Sequence, residues 1–413
     1  MFNVDQALVT TKILSQVPET RAPFYLGAFK TLHGPSGWTE SMVIDPTGRF
    51  FLTTFLGKNI KIWDAQYPYN QIAQLEAHQK PITALAIDPQ GRFFVTASED
   101  ATAKIWEINL LKRTFSIRNV ITGHTDKINA IATGPEGVIV TGSADKTAKV
   151  WLWTPDWKTI LLGTIEGHKE AVSAVAIEPQ NAFIATGSTD GRVMLWDRAT
   201  FRRIKELLGH TGAIRRIAID PYGKFLVSGS DDATARVWHA TGELLSILRG
   251  HFGGIRDVAI NKEGTYIATA STDKTVRIWT IDRVAKTFAN QGMLFGHSAA
   301  VNAIMIDAKN SNLIISGSSD LATNFWNITS LWSDQVQNFL QGKMTPEQAM
   351  LISLLSQRKQ ANMPRSFSAM AFDDQRLSED ELKNIMQSLT RADRFPDAIQ
   401  NHIKLKYQIV EEF

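Results

Sequence analysis

Serine, histidine and aspartate recur at fixed distances along this chain. Together they could supply a nucleophilic site, with a hydroxyl to attack, an imidazole to take its proton and a carboxylate to orient the ring. The histidines are His33, His78, His124, His168, His210, His251 and His297, and downstream stand Asp100, Asp145, Asp190, Asp232, Asp273 and Asp320. Each of these aspartates has a Ser two residues before it (Ser98, Ser143, Ser188, Ser230, Ser271, Ser318). Four residues before it stands a second hydroxyl (Thr96, Thr141, Thr186, Ser228, Thr269, Ser316). An active site is built once, whereas this set returns in unit after unit, so the groups are expected to satisfy one another rather than a substrate. Other catalytic signatures are missing, with no GxxxxGK[ST] and no HExxH. The chain has no cysteine, which excludes disulfides, thiolate metal sites and cysteine nucleophiles. No enzyme activity, no metal and no cofactor is expected.

The elements that must position these groups follow from the period. Six residues after each Asp comes a Trp, and the full series is Trp63, Trp106, Trp151, Trp196, Trp238, Trp279 and Trp326, with spacings of 43, 45, 45, 42, 41 and 47. Between these marks lie short apolar runs separated by turn sequences such as Asp88-Pro89-Gln90-Gly91, Asp45-Pro46-Thr47-Gly48 and Asp220-Pro221-Tyr222-Gly223. Each unit supplies about four strands. One such sheet cannot bury both of its faces, but seven packed radially can.

His, Ser/Thr, Asp and Trp at this period resemble the WD-repeat β-propeller family over roughly residues 23–332. The resemblance implies an all-β, seven-bladed propeller in which each blade carries a buried network of these four side chains. Unit 1 departs from the pattern, with Gly57 where the Asp belongs and Phe55 where the Ser belongs, so its network is expected to be incomplete. The seventh unit lacks an outer strand after Trp326, and residues 24–32 are expected to supply it and close the ring. The domain plan is then an N-terminal arm (1–22), the propeller (23–332) and a C-terminal helical extension (333–413). Thr345-Pro346-Glu347 and the Ser378/Glu381 capping box each open a helical pattern there, and a third begins at Pro396. That extension holds ten basic and eleven acidic residues, so it is not a basic arm.

The resemblance also implies where a ligand would sit: on the face carrying the His loops and Asp turns, around the mouth of the central channel. The positions three and five after each His, and the one before each Asp, include Glu99, Lys127, Asn129, Arg215, Asp231, Arg256 and Asn302, and in unit 1, allowing for two extra residues and for Gly57 in the Asp place, Trp38, Glu40 and Leu56. Arg215 and Arg256 occupy equivalent places in adjacent units, and an internal pairing of Arg215 with Asp231 competes with ligand binding. Trp153 and Trp157 offer a candidate second contact on the opposite rim, against packing on the blade edge. The stretch Phe201-Arg202-Arg203 resembles the Phe-Arg-Arg-Gly signature of phosphoinositide-binding propellers, with Ile204 in place of the glycine.

Net charge is only +3, and no run of ~18 apolar residues suggests a membrane span. The first residues lack a basic, then apolar, leader pattern. The expectation is a cytoplasmic, non-enzymatic scaffold or adaptor. Its expected partners are proteins or peptides carrying acidic or phosphorylated segments, rather than nucleic acid or membrane. A phosphoinositide-binding propeller, or an enzyme with an unrecognised site at the channel mouth, is the alternative.

Overall fold

Each repeat folds as an antiparallel meander because its turns dictate it. In the Asp-Pro-x-Gly turns, Gly48, Gly91 and Gly223 donate back to the carbonyls of Asp45, Asp88 and Asp220 at 2.7, 2.7 and 2.8 Å. These glycines have φ of 60, 68 and 66°, which a side chain would strain. The computed structural model describes residues 24–33, 39–54 and 57–329. Expectations for the N-terminal arm, for Trp38, Phe55 and Leu56, and for the helical extension fall outside the described residues.

The strands form seven sheets arranged as blades, each running from an inner to an outer strand. Blade 2 is representative: Ile82–Ile87, Phe93–Ser98, Ala103–Asn109 and Thr114–Ile121. Its two middle strands are largely buried and its outer strand largely exposed. The core lies between blades rather than within one. Trp151 and Trp153 of blade 3 pack with Phe93 and Ile105 of blade 2, and Trp196 of blade 4 packs with Val138 and Val150 of blade 3. No helix among the described residues is long and apolar enough to cross a membrane.

The N-terminal segment closes the ring, but over a shorter span than residues 24–32. Lys30–His33 pairs antiparallel with Ala322–Asn327 and is the outer strand of blade 7. Phe24–Gly27 instead pairs parallel with Thr287–Phe295, giving blade 6 a fifth strand. Phe29 N–H donates to Phe325 O at 3.0 Å, so the chain crosses from one blade to the next within two residues.

In blades 2 to 7 the recurring side chains form a directed chain of donors. In blade 2, Trp106 Nε1–H donates to Thr96 Oγ1 at 3.1 Å. His78 Nε2 lies 2.7 Å from Thr96 Oγ1, and His78 Nδ1 lies 3.0 Å from Asp100 Oδ2. A neutral imidazole protonated at Nδ1 satisfies every member, because it accepts from the hydroxyl and donates to the carboxylate. Blade 6 repeats this with Trp279, Thr269, His251 and Asp273 at 2.9, 2.8 and 2.7 Å. In blade 4 the last link is loose, His168 Nδ1 standing 3.5 Å from Asp190 without a hydrogen bond. The Ser two before each Asp works separately: Ser98 Oγ accepts from Asp100 N–H at 3.1 Å and donates to Pro81 O at 2.9 Å. Blade 1 keeps more of the set than its sequence suggests, since Trp63 Nε1–H still donates to Thr53 Oγ1 at 2.9 Å.

Burial pushes the imidazoles of His78, His124, His168, His210 and His251 down, more strongly than their aspartates push them up. For Asp145, burial alone would raise the carboxyl, but hydrogen bonds from Thr147 and His124 outweigh it and lower it to about 2. Below the ordinary imidazole value near 6.5 the unfolded chain binds more protons than the folded one, so stability rises with pH there. Depressed carboxyls add a second loss, as pH falls below about 4 and through the folded value. Asp257, pushed up by burial, works in the opposite sense as a single group. Thermal melts from pH 8 to 4 should show a flat melting temperature above about 7 and a decline below about 6.5. A maximum near pH 5 would contradict the buried, neutral histidines.

Thr269→Val keeps the shape but strands both the Trp279 indole and His251 Nε2, at an expected cost of about 3 kcal/mol. Thr53→Val strands the partly buried Trp63 indole in the shortened set of blade 1, at about 1 kcal/mol. Equal losses in denaturant melts would refute the cooperative network.

Candidate functional site

In blades 2 to 7 the His loop and the Asp turn lie at one end of the blade, so the propeller brings these segments to a common face around the channel. A cavity of about 850 Å³ opens there. Of the residues expected at the mouth, Glu40, Glu99, Lys127, Asn129, Arg215, Arg256 and Asn302 line it, beside Pro81, Thr83, Ala171, Ser173, Thr189 and Ser319. Trp38 and Leu56 lie outside the described residues.

In blades 2 to 7 the residue five after the His is the second of the inner strand, and in four of these blades it fastens that strand to the next blade. Thr83 Oγ1 donates to Ile128 O at 2.5 Å, and Asn129 Nδ2 donates to Val172 O at 3.1 Å. Ser173 Oγ donates to Ile214 O at 2.5 Å, and Asn302 Nδ2 donates to Thr39 O at 3.2 Å across the ring closure. Asn129 and Asn302 are thus committed to holding adjacent blades together.

Arg215 and Arg256 hold the same position but turn to a carboxylate. Arg215 Nε lies 3.0 and 2.9 Å from the Asp231 oxygens, and its Nη2 lies 2.5 Å from Oδ2. Arg256 Nη1 stands 3.6 Å from Asp231 Oδ1. Gly254 makes this convergence possible, because a Cβ there would come within 3.1 Å of Asp231 Cα and Oδ1. The internal pairing of Arg215 with Asp231 is therefore present, and it leaves two guanidinium groups around one carboxylate. All three side chains are about one-third exposed, so the pairing is screened rather than strong. Across the channel stand Glu40 of blade 1 and Glu99 of blade 2, giving the mouth a cationic and an acidic side.

One residue that the mouth positions did not include is Phe252. It follows His251 directly, on the blade whose inner strand carries Arg256, and it is 82% exposed. The equivalent residues elsewhere are Gln79, Thr125, Lys169, Thr211 and Ser298, so a lone aromatic at that offset was the available signal.

Trp153, Trp157 and Phe201 make internal contacts, while Arg202 and Arg203 are exposed. Trp153 is buried, with its ring 4.7 Å from Phe93 and 5.6 Å from Trp157, and the Arg92 guanidinium lies 4.8 Å above it. Asn119 Nδ2 ties the carbonyl of Trp157 to blade 2 at 2.8 Å. Phe201 sits against Gly163, where a Cβ would come within 2.5 Å of its ring, and Arg203 lies 3.6 Å from Glu206. Among the described residues, no group of three or more His, Asp or Glu is placed to hold a metal ion.

With blades, networks and mouth defined, comparison with known proteins is decisive for the family. The WD40 family model, described as "WD domain, G-beta repeat", matches residues 28–64, 69–107, 115–151, 160–197, 201–239 and 242–280. The chain belongs to the WD40 family. The seventh WD40 blade lies beyond these matches, yet His297, Ser316, Asp320 and Trp326 complete the same network there at 2.9, 2.8 and 2.8 Å. The chain is 34% identical over 184 residues to the small ribosomal subunit protein RACK1y of Oryza sativa subsp. japonica, covering 44% of this chain and 54% of that protein. It is 41% identical over 75 residues to mitochondrial division protein 1 of Schizosaccharomyces pombe, covering 18% of this chain and 11% of that protein. The matches thus span about half of the first relative and a small part of the second.

The mouth residues divide by what their loss should do. Ser173→Ala deprives Ile214 O of a donor and should cost about 1 kcal/mol of stability. Arg256→Ala removes only a partly exposed, distant ion pair and should stay within about 0.5 kcal/mol of the parent in urea melts.

Proposed function

We propose that this WD40 chain is a non-enzymatic protein-interaction scaffold whose His-loop mouth receives an extended peptide segment with a carboxylate or phosphate group. The observation that carries the reading is the convergence of Arg215 and Arg256 on a single carboxylate at the edge of an open cavity. One anion cannot neutralise two guanidinium groups, and a ligand anion meeting Arg256 completes the charge balance through charge-assisted hydrogen bonds. Phe252 offers an apolar surface on the neighbouring loop, and Arg and aromatic residues are the usual anchors of an interface. A cationic residue elsewhere in the same segment would face Glu99 across the channel. Family membership supports this reading, since the repeats build a platform without a catalytic set. The relatives' names point to different assemblies, so the shared blades support the platform rather than any one partner.

Affinity capture from a cell extract with the whole chain, read by mass spectrometry, tests the reading. Arg256→Glu should lose the specific partner while keeping its melting temperature, and the captured interaction should weaken with salt. Asp231→Asn removes the competing carboxylate and should strengthen capture of the same partner. A partner retained by folded Arg256→Glu and unaffected by Asp231→Asn would place the binding surface elsewhere.

A further inference from the structure

A second concave site lies on the face opposite the mouth, between blades 5 and 6. Its volume is about 300 Å³, enough for one large side chain. The floor is apolar, formed by Phe225, Leu245, Ile281 and Phe288, with the two phenylalanine rings edge to face at 5.8 Å. The rim is cationic. Arg283 is held by Asp220 and by the Gly264 carbonyl at 3.1 Å, but no described residue pairs with the exposed side chains of Lys224 and Lys286. Asp282 also lines the rim, and its carboxylate is engaged with its own turn, accepting from Val284 N and Ala285 N at 2.9 Å each. Two ammonium groups beside an aromatic slot suit an occupant with a bulky apolar side chain next to carboxylates.

This chain carries such a segment. Residues 333–413 are nearly balanced, with eleven acidic and ten basic residues, but five of the acidic ones fall between 373 and 381 with Arg376 the one base among them: Asp373, Asp374, Glu379, Asp380 and Glu381. Phe372 stands immediately before the first pair. Ala322–Asn327 runs away from the Asp turn of blade 7, so the chain leaves that blade at Thr329 on the face where the groove opens. The 42 residues between Thr329 and Phe372 have a reach of about 35 Å as a flexible coil. We infer that Phe372 seats in the groove between blades 5 and 6, with Asp373 and Asp374 paired to Lys224 and Lys286.

Carbodiimide coupling of the whole chain, which joins only carboxylates and amines already in contact, tests this when read by peptide mass spectrometry. A mixture of unlabelled and 15N-labelled protein separates links within one chain from links between chains. The expected result is a link within one chain from Lys224 or Lys286 to Asp373 or Asp374. Phe372→Ala, outside the propeller, should reduce it at least tenfold, and Lys224→Glu/Lys286→Glu should abolish it. Adding Asp373→Lys/Asp374→Lys to that pair should restore a link with the polarity reversed. Links from the groove lysines to other sites, no link at all, or links only between labelled and unlabelled chains would overturn the proposal, the last by making a second copy the occupant.

Discussion

The structure depends on the directed hydrogen-bond chain from tryptophan through hydroxyl and imidazole to aspartate. Each member is buried or half-buried, and each gives what the next accepts, so that in blade 2 every polar group of the set is satisfied, while in blade 4 the link from His168 to Asp190 is the loose one. The chain joins three separate pieces of backbone: the third strand through Trp, the second strand through Ser or Thr, and the loop from the preceding blade through His. Asp then locks the turn to that loop, as when Asp100 also accepts from Gln79 N–H at 3.2 Å. The loops facing the channel mouth are therefore set by the interior of the blades together with hydrogen bonds between them, such as Glu99 N–H to Pro81 O at 3.0 Å.

That division of labour frees the mouth positions to vary. Where the inner strand needs fastening, the residue five after His is a small donor or an amide, as in Thr83, Asn129, Ser173 and Asn302. In blades 5 and 6 the same position carries arginine, whose charge meets Asp231 and whatever else approaches. The scaffold tolerates this because the hydrophobic seams between blades continue beneath it, with Leu226 and Trp238 of blade 5 packed on Leu195 and Leu207 of blade 4.

Much of this was legible in the sequence, for a physical reason. The network residues are each other's partners, so their types and spacing are fixed together, and the period exposes the blades. Asp-Pro-x-Gly turns are legible in the same way, because their geometry needs a glycine at a set place. The split of residues 24–33 between two blades was not legible, since a short apolar strand pairs with whichever edge the chain path brings near. Whether Arg215 meets Asp231 or a ligand depends on side-chain rotamers across a turn, which spacing does not encode. Phe252, next to His251, stands outside the positions three and five that the repeat marks as facing the channel. The fastening role of Asn129 and Asn302 was hidden for a similar reason, as an amide at a mouth reads equally as a ligand contact or as a clasp.

The crossing of the N-terminal segment from blade 6 to blade 7 has a consequence for the order of assembly. Thr31 meets Asn324 across a separation of 293 residues, so the strand that completes the ring is synthesised first and placed last. Until Ala322–Asn327 exists, Lys30–His33 has no edge to join, and the emerging blades form an open arc with an unpaired strand at its end. Closing so long a loop costs entropy that is recovered only when both pairings form together. The segment therefore acts as a clasp on a necklace: one short stretch of chain ties two adjacent blades, and it adds to the seam where Phe51 and Tyr69 of blade 1 pack on Phe325 of blade 7.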